Sequence, residues 1–310
     1  MKAPHRMDLA VSAITKEGAW HCNRRCLHCY AADQSYAEGK ELSTDEWKRA
    51  IDACRRAGIP ALTFTGGEPT LRSDLAELIG YSKWFVTRLN TNGALLTIEL
   101  CKKLSKASLD SVQITLYSSN EEVHNMLVGC DGFRETVQGI KNALGAGLDV
   151  SVNTPLCSLN REYAETVKFL LDLGVRYFSC SGLIPAGNAE KDDSTATRLG
   201  KDEITEIVRK AARTVYAGGG EISFTSPGWI DDAILKELKM VVPSCGACLS
   251  NMAIAPDGTV VPCQSWLSGA PLGNILTDDW KTIWYGKTCR KIRKRACKKE
   301  KTCLLKEGGQ

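Results

Sequence analysis

Three cysteines stand close together in the segment WHCNRRCLHCY. Cys22, Cys26 and Cys29 are spaced by four and three residues, and Tyr30 follows the last of them. Cysteine thiolates hold iron–sulfur clusters, and three of them leave one iron of a [4Fe–4S] cluster without a protein ligand. An open coordination position lets a metal bind a reactant. The spacing therefore indicates a reactive iron–sulfur centre, with a zinc knuckle or free thiols as the alternative.

Cysteine is frequent throughout this chain. Fourteen occur among 310 residues, and the start, MKAPHRMDLAVSAITKEG, lacks the apolar core of a signal peptide. Without an export signal, metal or redox chemistry is a better explanation than a set of disulfides. Four cysteines lie in helical or loop sequence, where we expect packing rather than metal binding: Cys54, Cys101, Cys130 and Cys157.

Short apolar runs alternate with helical patterns over the first 190 residues. The runs are rich in Val, Ile, Thr and aromatic residues, which predicts strands at 9–15, 61–65, 84–90, 111–117, 149–154 and 176–183. Six strand–helix units in a row predict a parallel sheet with helices outside. Six units are too few to close an eight-stranded barrel. We therefore expect an α/β fold, a partial (β/α)6 TIM-like barrel.

The sequence changes character after about residue 190. A polar stretch and helical sequence lead to CGACLSNMAIAPDGTVVPCQSW, in which two apolar runs flank the turn PDG. This pattern predicts a β-hairpin that carries cysteines. We expect three parts: the barrel at 1–190, a linker with helices at 191–240, and a small C-terminal α+β domain at 241–310.

Composition excludes several classes of protein. Hydrophobic residues make up 43% of the chain and charged residues 25%, as in ordinary soluble globular proteins. No run of about 18 apolar residues is present that would span a membrane. A net charge of +4 is too small to argue for nucleic-acid binding. We expect a cytoplasmic protein with neither nucleic acid nor a membrane as its partner.

The cysteine spacing and two further motifs together resemble the radical SAM superfamily. A ring residue, His28, precedes the last cysteine of CxxxCxxC, TFTGGEP follows the second predicted strand, and LNTNG ends the third. Glycines without a Cβ atom let backbone approach a ligand closely, and the Glu68 carboxylate can accept hydrogen bonds from an amino group. The resemblance implies a [4Fe–4S] cluster that binds S-adenosylmethionine at its open iron. It also implies a 5′-deoxyadenosyl radical that takes a hydrogen atom from the substrate.

The resemblance also implies a set of residues around the cofactor. These are His28, Tyr30, Gly66, Gly67, Glu68, Pro69, Asn90, Asn92, Thr115, Ser118 and Asn153. A turn-forming role is the alternative for Asn90 and Asn92, and a buried core position is the alternative for Asn153.

The C-terminal cysteines resemble a SPASM or twitch extension, which carries auxiliary iron–sulfur clusters. Cys245 and Cys248 are followed by a Gly-x-x-x-x-Cys that ends at Cys263, and then by LGNILTDDWKTIW. The resemblance implies one auxiliary [4Fe–4S] cluster held by these three cysteines and Cys303, with Cys297 as the alternative fourth ligand. Structural zinc remains the other interpretation of this group.

Three further features bear on the substrate and on partners. Cys180, near the end of the sixth predicted strand, is a candidate hydrogen donor to a substrate radical, with a packed core thiol as the alternative. The polar segment 186–200 is expected to border or close over a substrate groove. Residues 287–301 contain nine Lys or Arg against one acid. Such a run is a solvated helix face or a site for an acidic partner, such as a peptide leader or a flavodoxin- or ferredoxin-type electron donor.

We expect a radical SAM enzyme that modifies a ribosomally made peptide or protein residue. The 21 residues before Cys22 are too few for an N-terminal peptide-recognition domain. The alternative is a dehydrogenase or decarboxylase that acts on an aminoglycoside alcohol or a tetrapyrrole side chain, with the auxiliary cluster as electron acceptor. The non-enzymatic alternative is a zinc-binding scaffold.

Overall fold

A ten-stranded sheet organises the chain in the computed structural model, which describes residues 2–16, 19–191, 196–269, 271–298 and 301–307. The strand order is β12-β11-β10-β1-β4-β5-β6-β7-β8-β9. The strands are β1 (Arg6–Ser12), β4 (Ala61–Gly66), β5 (Val86–Thr91), β6 (Ser111–Thr115), β7 (Asp149–Pro155), β8 (Tyr177–Ser181), β9 (Glu221–Phe224), β10 (Asn251–Ile254), β11 (Thr259–Val261) and β12 (Gly273–Asn274). The strands from β10 to β9 run parallel, whereas β11 and β12 are antiparallel additions. A separate small ribbon pairs β2 (Thr15–Lys16) with β3 (Ala19–Trp20).

Helices follow most of the parallel strands. They are α1 (Thr44–Ala57), α2 (Leu75–Tyr81), α3 (Ile98–Lys106), α4 (Glu121–Val128), α5 (Phe133–Gly145), α6 (Tyr163–Asp172), α7 (Lys201–Ala217), α8 (Asp232–Glu237), α9 (Trp280–Tyr285) and α10 (Lys287–Lys298). Short 3-10 turns occupy Pro69–Leu71, Ser158–Asn160, Gly187–Glu190 and Leu304–Glu307. Across the described ranges, no helix is both long and apolar enough to cross a membrane.

The predicted partial barrel is confirmed. All six predicted strands are present, as β1 and β4 to β8, and successive ones pair in parallel. Two short parallel strands extend this sheet: β9 pairs with β8, and β10 pairs with β1. β9 lies within the stretch assigned to the linker, and the predicted C-terminal hairpin, β10–β11, continues the barrel sheet. The domain boundaries at 190 and 240 stay a prediction.

The two faces of the sheet have different chemistry. In β6, Val112 and Ile114 are fully buried, whereas Ser111, Gln113 and Thr115 alternate with them and are half-buried. Side chains of a strand point alternately to opposite faces. The apolar set packs under the helices in one large core, so the polar set faces the inside of the partial barrel. The inner face is therefore a polar surface available to a ligand.

Helix α1 shows how local sequence sets an element of the outer layer. Ser43 and Glu46 form a reciprocal capping box at its start, and Gly58 ends it in the left-handed conformation with φ of 79°. Its buried face includes Trp47 and Cys54. Cys54 is thus a packing residue, as expected.

Candidate functional site

A cavity of about 450 Å³ lies inside the partial barrel and joins the two groups of cysteines. Predicted site residues of the barrel that line it are Cys22, Cys26, His28, Cys29, Tyr30, Gly66, Gly67, Glu68, Asn90, Asn92, Thr115 and Asn153. Cys245, Cys263 and Cys303 line it from the C-terminal part. Five predicted residues are not in its wall: Pro69, Ser118, Cys180, Cys248 and Cys297.

The loop with the first three cysteines is held by backbone hydrogen bonds. The amide of Arg25 donates to the carbonyl of Val128 at 2.9 Å, at the C-terminal end of α4. Asn188 donates from its backbone to the Cys29 carbonyl at 2.9 Å and from its side chain to the Cys26 carbonyl at 3.1 Å. The segment around Asn188 thus packs directly on this loop and fixes where its thiols point.

The described part of segment 186–200 packs on the same loop. At Gly187, with φ of +61°, an added Cβ would lie 2.6 Å from the Tyr30 carbonyl oxygen, so only glycine allows this approach. The Thr197 hydroxyl lies 2.7 Å from Nε2 of His28. Residues 192–195 are outside the described ranges. That this segment borders a substrate groove stays a prediction.

Burial disfavours the charged form of the loop thiols. It raises the pKa of Cys22 to about 12, and it also raises the pKa of Cys26 and Cys29. The charges of Cys29 and Cys22 raise the pKa of Cys26 further. Metal ligation requires the thiolate. A thiolate trio in this position therefore needs compensating positive charge, which iron ions supply.

Glu68 is fixed by several donors. Its Oε1 accepts hydrogen bonds from the Thr70 amide at 3.0 Å and from the Thr91 hydroxyl at 2.7 Å, and its Oε2 accepts from the Asn92 amide at 2.8 Å. The side chain is only 1% exposed, yet it lines the cavity. Pro69 begins the 3-10 turn that follows. The end of β5 therefore orients the carboxylate that follows β4.

Gly66 and Gly67 allow backbone to approach backbone. A Cβ at Gly66, where φ is +135°, would overlap the carbonyl oxygen of Ser12 on β1. A Cβ at Gly67 would lie 2.5 Å from the Ala13 carbonyl oxygen and 2.6 Å from that of His21. Both glycines also line the cavity. They bring the end of β4 against the chain that leads into the cysteine loop, and this close packing places Glu68 beside Cys22.

Some polar atoms around the cavity have hydrogen-bond partners within the protein, and others have none. Oδ1 of Asn90 is buried without a hydrogen-bond partner, as is Nδ1 of His28. Burial lowers the pKa of His28 to about 4, with a further contribution from Arg198, so its ring is neutral at neutral pH. Asn153 already has one hydrogen-bond partner, because its Oδ1 accepts a hydrogen bond from the Ser179 hydroxyl at 2.9 Å. The unpartnered atoms of Asn90 and His28 leave polar positions for a bound group.

Two predicted residues have local roles instead. Ser118 accepts a hydrogen bond from the amide of Asn120, the residue that caps α4, at 3.0 Å. Cys180 belongs to the side of β8 that faces the helices, where it is fully buried and its thiol donates to the Ser223 carbonyl at 3.8 Å. The suggestion that Cys180 faces the barrel interior as a hydrogen donor is therefore corrected to the packed core thiol. Its position in the strand puts it on the opposite face from Ser179 and Ser181.

The C-terminal cysteines separate into distinct surroundings. Cys245, Cys263 and Cys303 converge on the main cavity, and burial raises the pKa of Cys263 to about 12. Cys297 is exposed on α10. The structure thus brings Cys303 rather than Cys297 beside the other two. Among the described residues, no group of three or more His, Cys, Asp or Glu side chains is placed to hold a single metal ion.

Cys248 lies just behind this group, next to Cys289. Arg293 donates from Nε to the Cys248 carbonyl at 2.6 Å and from a terminal nitrogen to the Cys289 sulfur at 3.2 Å. Its guanidinium also lies 3.6 Å from the ring centroid of Trp284. The hydrogen bond from Cys248, and then the charge of Arg293, lower the pKa of Cys289. The sequence analysis gave no role to Cys289 or to this arginine, because their contacts depend on how α10 packs.

Charged residues inside the barrel were also missed. Asp8 on β1 is fully buried, and burial raises the pKa of its carboxyl against the opposing effect of Arg6. Nε of Arg6 lies 2.8 Å from Oδ1 of Asp8. Arg6 and Arg88 both line the cavity. The available signal was the alternation of polar residues along β1 and β5, which places these side chains on the inner face.

Comparison with known proteins identifies the family. Residues 21–173 match the radical SAM superfamily, and residues 245–304 match a family described as an iron–sulfur cluster-binding domain. The chain belongs to the radical SAM superfamily. A [4Fe–4S] cluster that binds S-adenosylmethionine, and auxiliary iron–sulfur clusters, are the cofactors of these two domains. The cysteines around the cavity, together with the unpartnered oxygen of Asn90, fit such groups.

Individual radical SAM proteins resemble the chain to different extents. An AdoMet-dependent heme synthase of Methanosarcina barkeri is 33% identical over 56% of this chain and 51% of its own length. The mycofactocin maturase MftC of Mycolicibacterium smegmatis is 28% identical over 87% of this chain and 69% of its own length. Streptococcus suis SuiB, in a crystal structure with its precursor peptide SuiA, superposes with a TM-score of 0.75 at 16% identity. That superposition covers 94% of this chain and 67% of SuiB.

The similarity to these relatives is limited in length and in sequence identity. The chain spans about half the length of the heme synthases it matches. At 16% identity, the similarity to SuiB shows a shared fold. The named relatives are enzymes, and they differ in substrate.

Proposed function

We propose that this radical SAM protein is an enzyme that modifies a residue of a ribosomally made peptide or protein. When bound, the cluster and S-adenosylmethionine supply a 5′-deoxyadenosyl radical for hydrogen abstraction. One observation carries this proposal: a single cavity of about 450 Å³ is lined by both groups of cysteines. A substrate in that cavity is accessible to the radical from one side and to an auxiliary cluster from the other.

Residues of this chain have defined tasks in the proposal. Cys22, Cys26 and Cys29 hold the first cluster, and Glu68 holds the amino group of S-adenosylmethionine. The carboxylate is suited to this task because the donors from Thr70, Thr91 and Asn92 fix its direction. Asn90 offers a free acceptor oxygen to the same cofactor.

The auxiliary ligands are proposed to be Cys245, Cys263 and Cys303, with Cys248 as the fourth. The first three line the cavity, and Cys248 is close enough to Cys263 for their charges to interact. Cys289, beside Cys248, competes for this fourth place. We favour Cys248 because it also belongs to the cysteine pattern that resembles the auxiliary domain.

The extent of similarity supports a peptide substrate. The alignment with the maturase MftC runs over 87% of this chain and therefore reaches into residues 245–304, whereas the alignment with the heme synthase covers 56%. SuiB, which shares the fold over 94% of this chain, was crystallised with a precursor peptide. The electron donor is proposed to be a flavodoxin- or ferredoxin-type protein.

A second candidate is oxidation or decarboxylation of a small molecule. It is favoured by the higher identity to the heme synthase, 33% over 179 residues. A volume of about 450 Å³ also lies within the usual range of small-molecule sites, roughly 300–1,000 Å³.

The experiment separates the chemistry from the substrate. Anaerobically reconstituted protein is incubated with S-adenosylmethionine and dithionite, and release of 5′-deoxyadenosine is measured by chromatography. The triple variant Cys22→Ala, Cys26→Ala, Cys29→Ala is the control and should release none. Absence of 5′-deoxyadenosine from the wild-type protein would contradict the proposed chemistry.

The substrate class is tested with a candidate peptide from a neighbouring gene. A mass change in the peptide that requires S-adenosylmethionine supports peptide modification. Turnover of a sugar alcohol or a tetrapyrrole, with the peptide unchanged, would favour the second candidate instead.

A further inference from the structure

A second, smaller cavity lies beside the main one. Its volume is about 190 Å³, and it is bounded by the residues that follow β8, the start of α7 and the C-terminal 3-10 turn. Apolar walls come from Leu156, Leu183, Pro185, Leu199, Ile204 and Trp229. The polar part of the wall consists of three cations, Arg198, Lys201 and Lys306, and no acidic residue in the described ranges lines it.

The charges of these cations are not all neutralised. Lys201 forms an ion pair with Asp231. Arg198, in contrast, donates to the Ala189 carbonyl at 2.6 Å, and Lys306 donates to the Gly228 carbonyl at 3.0 Å. Neither of these two has a carboxylate partner among the described residues. The small cavity therefore carries positive charge beside apolar walls.

Trp229 separates the two cavities. Its ring lines both of them, as does Leu183. The indole packs so closely on Gly182 that an added Cβ there would overlap the ring. Nζ of Lys306 lies 4.3 Å from the centroid of the Trp229 ring, within the range of a cation–π contact. A group in the small cavity would thus lie just behind the wall of the main one.

We propose that this small cavity binds a carboxylate at the end of a short apolar chain. Apolar walls accept the chain, and the exposed side chains of Arg198 and Lys306 attract the carboxylate at the rim of the cavity. Guanidinium and ammonium groups form stronger hydrogen bonds with a carboxylate than neutral donors do. The carboxylate belongs either to a peptide chain end or to a free short-chain acid. The site does not depend on radical chemistry, so it stands apart from the proposed function.

The test measures binding to the reconstituted protein by isothermal titration calorimetry, without S-adenosylmethionine. Hexanoate is the probe, and hexanamide is its neutral match. We expect saturable binding of hexanoate and at least tenfold weaker binding of hexanamide. Equal affinities, or no hexanoate binding, would overturn the proposal.

Variants then locate the site. Lys306→Gln should weaken hexanoate at least fivefold and leave hexanamide unchanged, whereas Lys306→Arg should restore hexanoate binding. The matched control is Lys301→Gln, because Lys301 is a nearby lysine outside the cavity wall that pairs with Asp232. The iron content of each variant is measured to show that it keeps its clusters. If Lys306→Gln loses iron, Arg198→Gln is used in its place. Loss of affinity in Lys301→Gln to the same extent would overturn the assignment.

A competition arm distinguishes the two sources of the carboxylate. N-acetyl-glycyl-leucine, with a free chain end, is compared with its amide as a competitor of hexanoate. Displacement by the acid alone assigns the site to a peptide chain end. Displacement by neither assigns it to a free short-chain acid, and displacement by both contradicts recognition of the carboxylate.

Discussion

The two cysteine groups face one cavity but are positioned in different ways. Cys22, Cys26 and Cys29 lie on one short loop that is hydrogen-bonded to α4 and to Asn188. The C-terminal cysteines that line the cavity come from the loop before β10, the segment after β11 and the residue before the C-terminal 3-10 turn. Each of these is short, and they meet only when the chain has folded. Ends of parallel strands thus build the first site, whereas long-range packing builds the second.

The largest expected effect tests whether the two groups hold separate clusters. The wild-type protein should contain about eight irons per chain if each site carries one [4Fe–4S] cluster. The triple alanine variant of Cys22, Cys26 and Cys29 should retain about four and lose 5′-deoxyadenosine formation. Iron and sulfide assays provide the measurement. Zinc at the C-terminal site of the wild-type protein would contradict the claim of two clusters. It would not contradict the claim of a first cluster at Cys22, Cys26 and Cys29.

Single substitutions at two late cysteines sharpen the comparison. Cys303 lines the cavity, and Cys297 is exposed on α10. Cys303→Ser should lose up to half of the iron, because the auxiliary cluster loses a ligand. Cys297→Ser is the matched control and should keep the wild-type content. The reverse result would make Cys297 the ligand.

Gly66→Ala tests how closely the first site is packed. The added Cβ would overlap the Ser12 carbonyl oxygen in a backbone with φ of +135°, so the free energy of unfolding should fall by roughly 2–6 kcal/mol. Gly39→Ala is the control, since Gly39 has φ of +129° with open space around it. It should lose only about 1–3 kcal/mol. Urea unfolding measures both, and equal losses would contradict the packing argument.

Glu68→Ala tests the proposed contact with S-adenosylmethionine. Removal of a charge-assisted hydrogen bond costs roughly 1.5–3 kcal/mol, so binding should weaken about tenfold or more. Equilibrium titration provides the affinity. Glu77→Ala removes an exposed carboxylate that pairs with Lys48 and should leave binding unchanged. Wild-type affinity in the Glu68 variant would place the amino group elsewhere.

The smallest effect concerns the basic surface beside the second site, defined as Lys287, Arg290, Lys291 and Lys294 of α10. These side chains are exposed, and none forms an ion pair with a described residue. A peptide leader held there should bind more weakly as salt rises, because the Debye length falls from about 10 Å at 0.1 M to about 3 Å at 1 M. Neutralising all four should reduce affinity further, as measured at two ionic strengths. If the affinity is the same at both ionic strengths and in the neutralised variant, the peptide leader does not bind at this surface.

Arg293 lies on the same helix but is not part of this surface. Its contacts with Cys248 and Cys289 make it a structural residue, so it is left out of the neutralised set. Residues 299 and 300 of the basic tail lie outside the described ranges. Neutralising Lys102, Lys103 and Lys106 of α3 provides the control for a general effect of charge.

Local patterns were enough to predict that most residues of the proposed first site lie together around one cavity. The strands β4 and β5 carry β-branched and aromatic residues, and the motifs that follow them place Glu68 and Asn92 at one edge of the sheet. Parallel strands bring their carboxyl ends together, so order along the chain was enough. The barrel and its six strands followed from the same repetition.

Local sequence patterns could not predict the register of the strands or the pairing of residues far apart in sequence. A shift of one residue moves a side chain to the other face of a strand, which is why Cys180 was open to two interpretations. β9 and β10 have four residues each, too few to show a period. The pairing of β10 with β1, and that of Cys248 with Cys289, depend on residues far apart in sequence.

The pairing of β10 with β1 has a consequence for synthesis of the chain. β1 is buried in the finished sheet, with β4 on one side and β10 on the other, and Met7, Leu9 and Val11 form its apolar face. A ribosome delivers β10 after every other parallel strand, so one edge of β1 stays uncovered through most of translation. Exposed apolar edges invite pairing with other chains. Nascent chains, and fragments truncated before residue 251, should therefore be the forms of this protein most prone to aggregate.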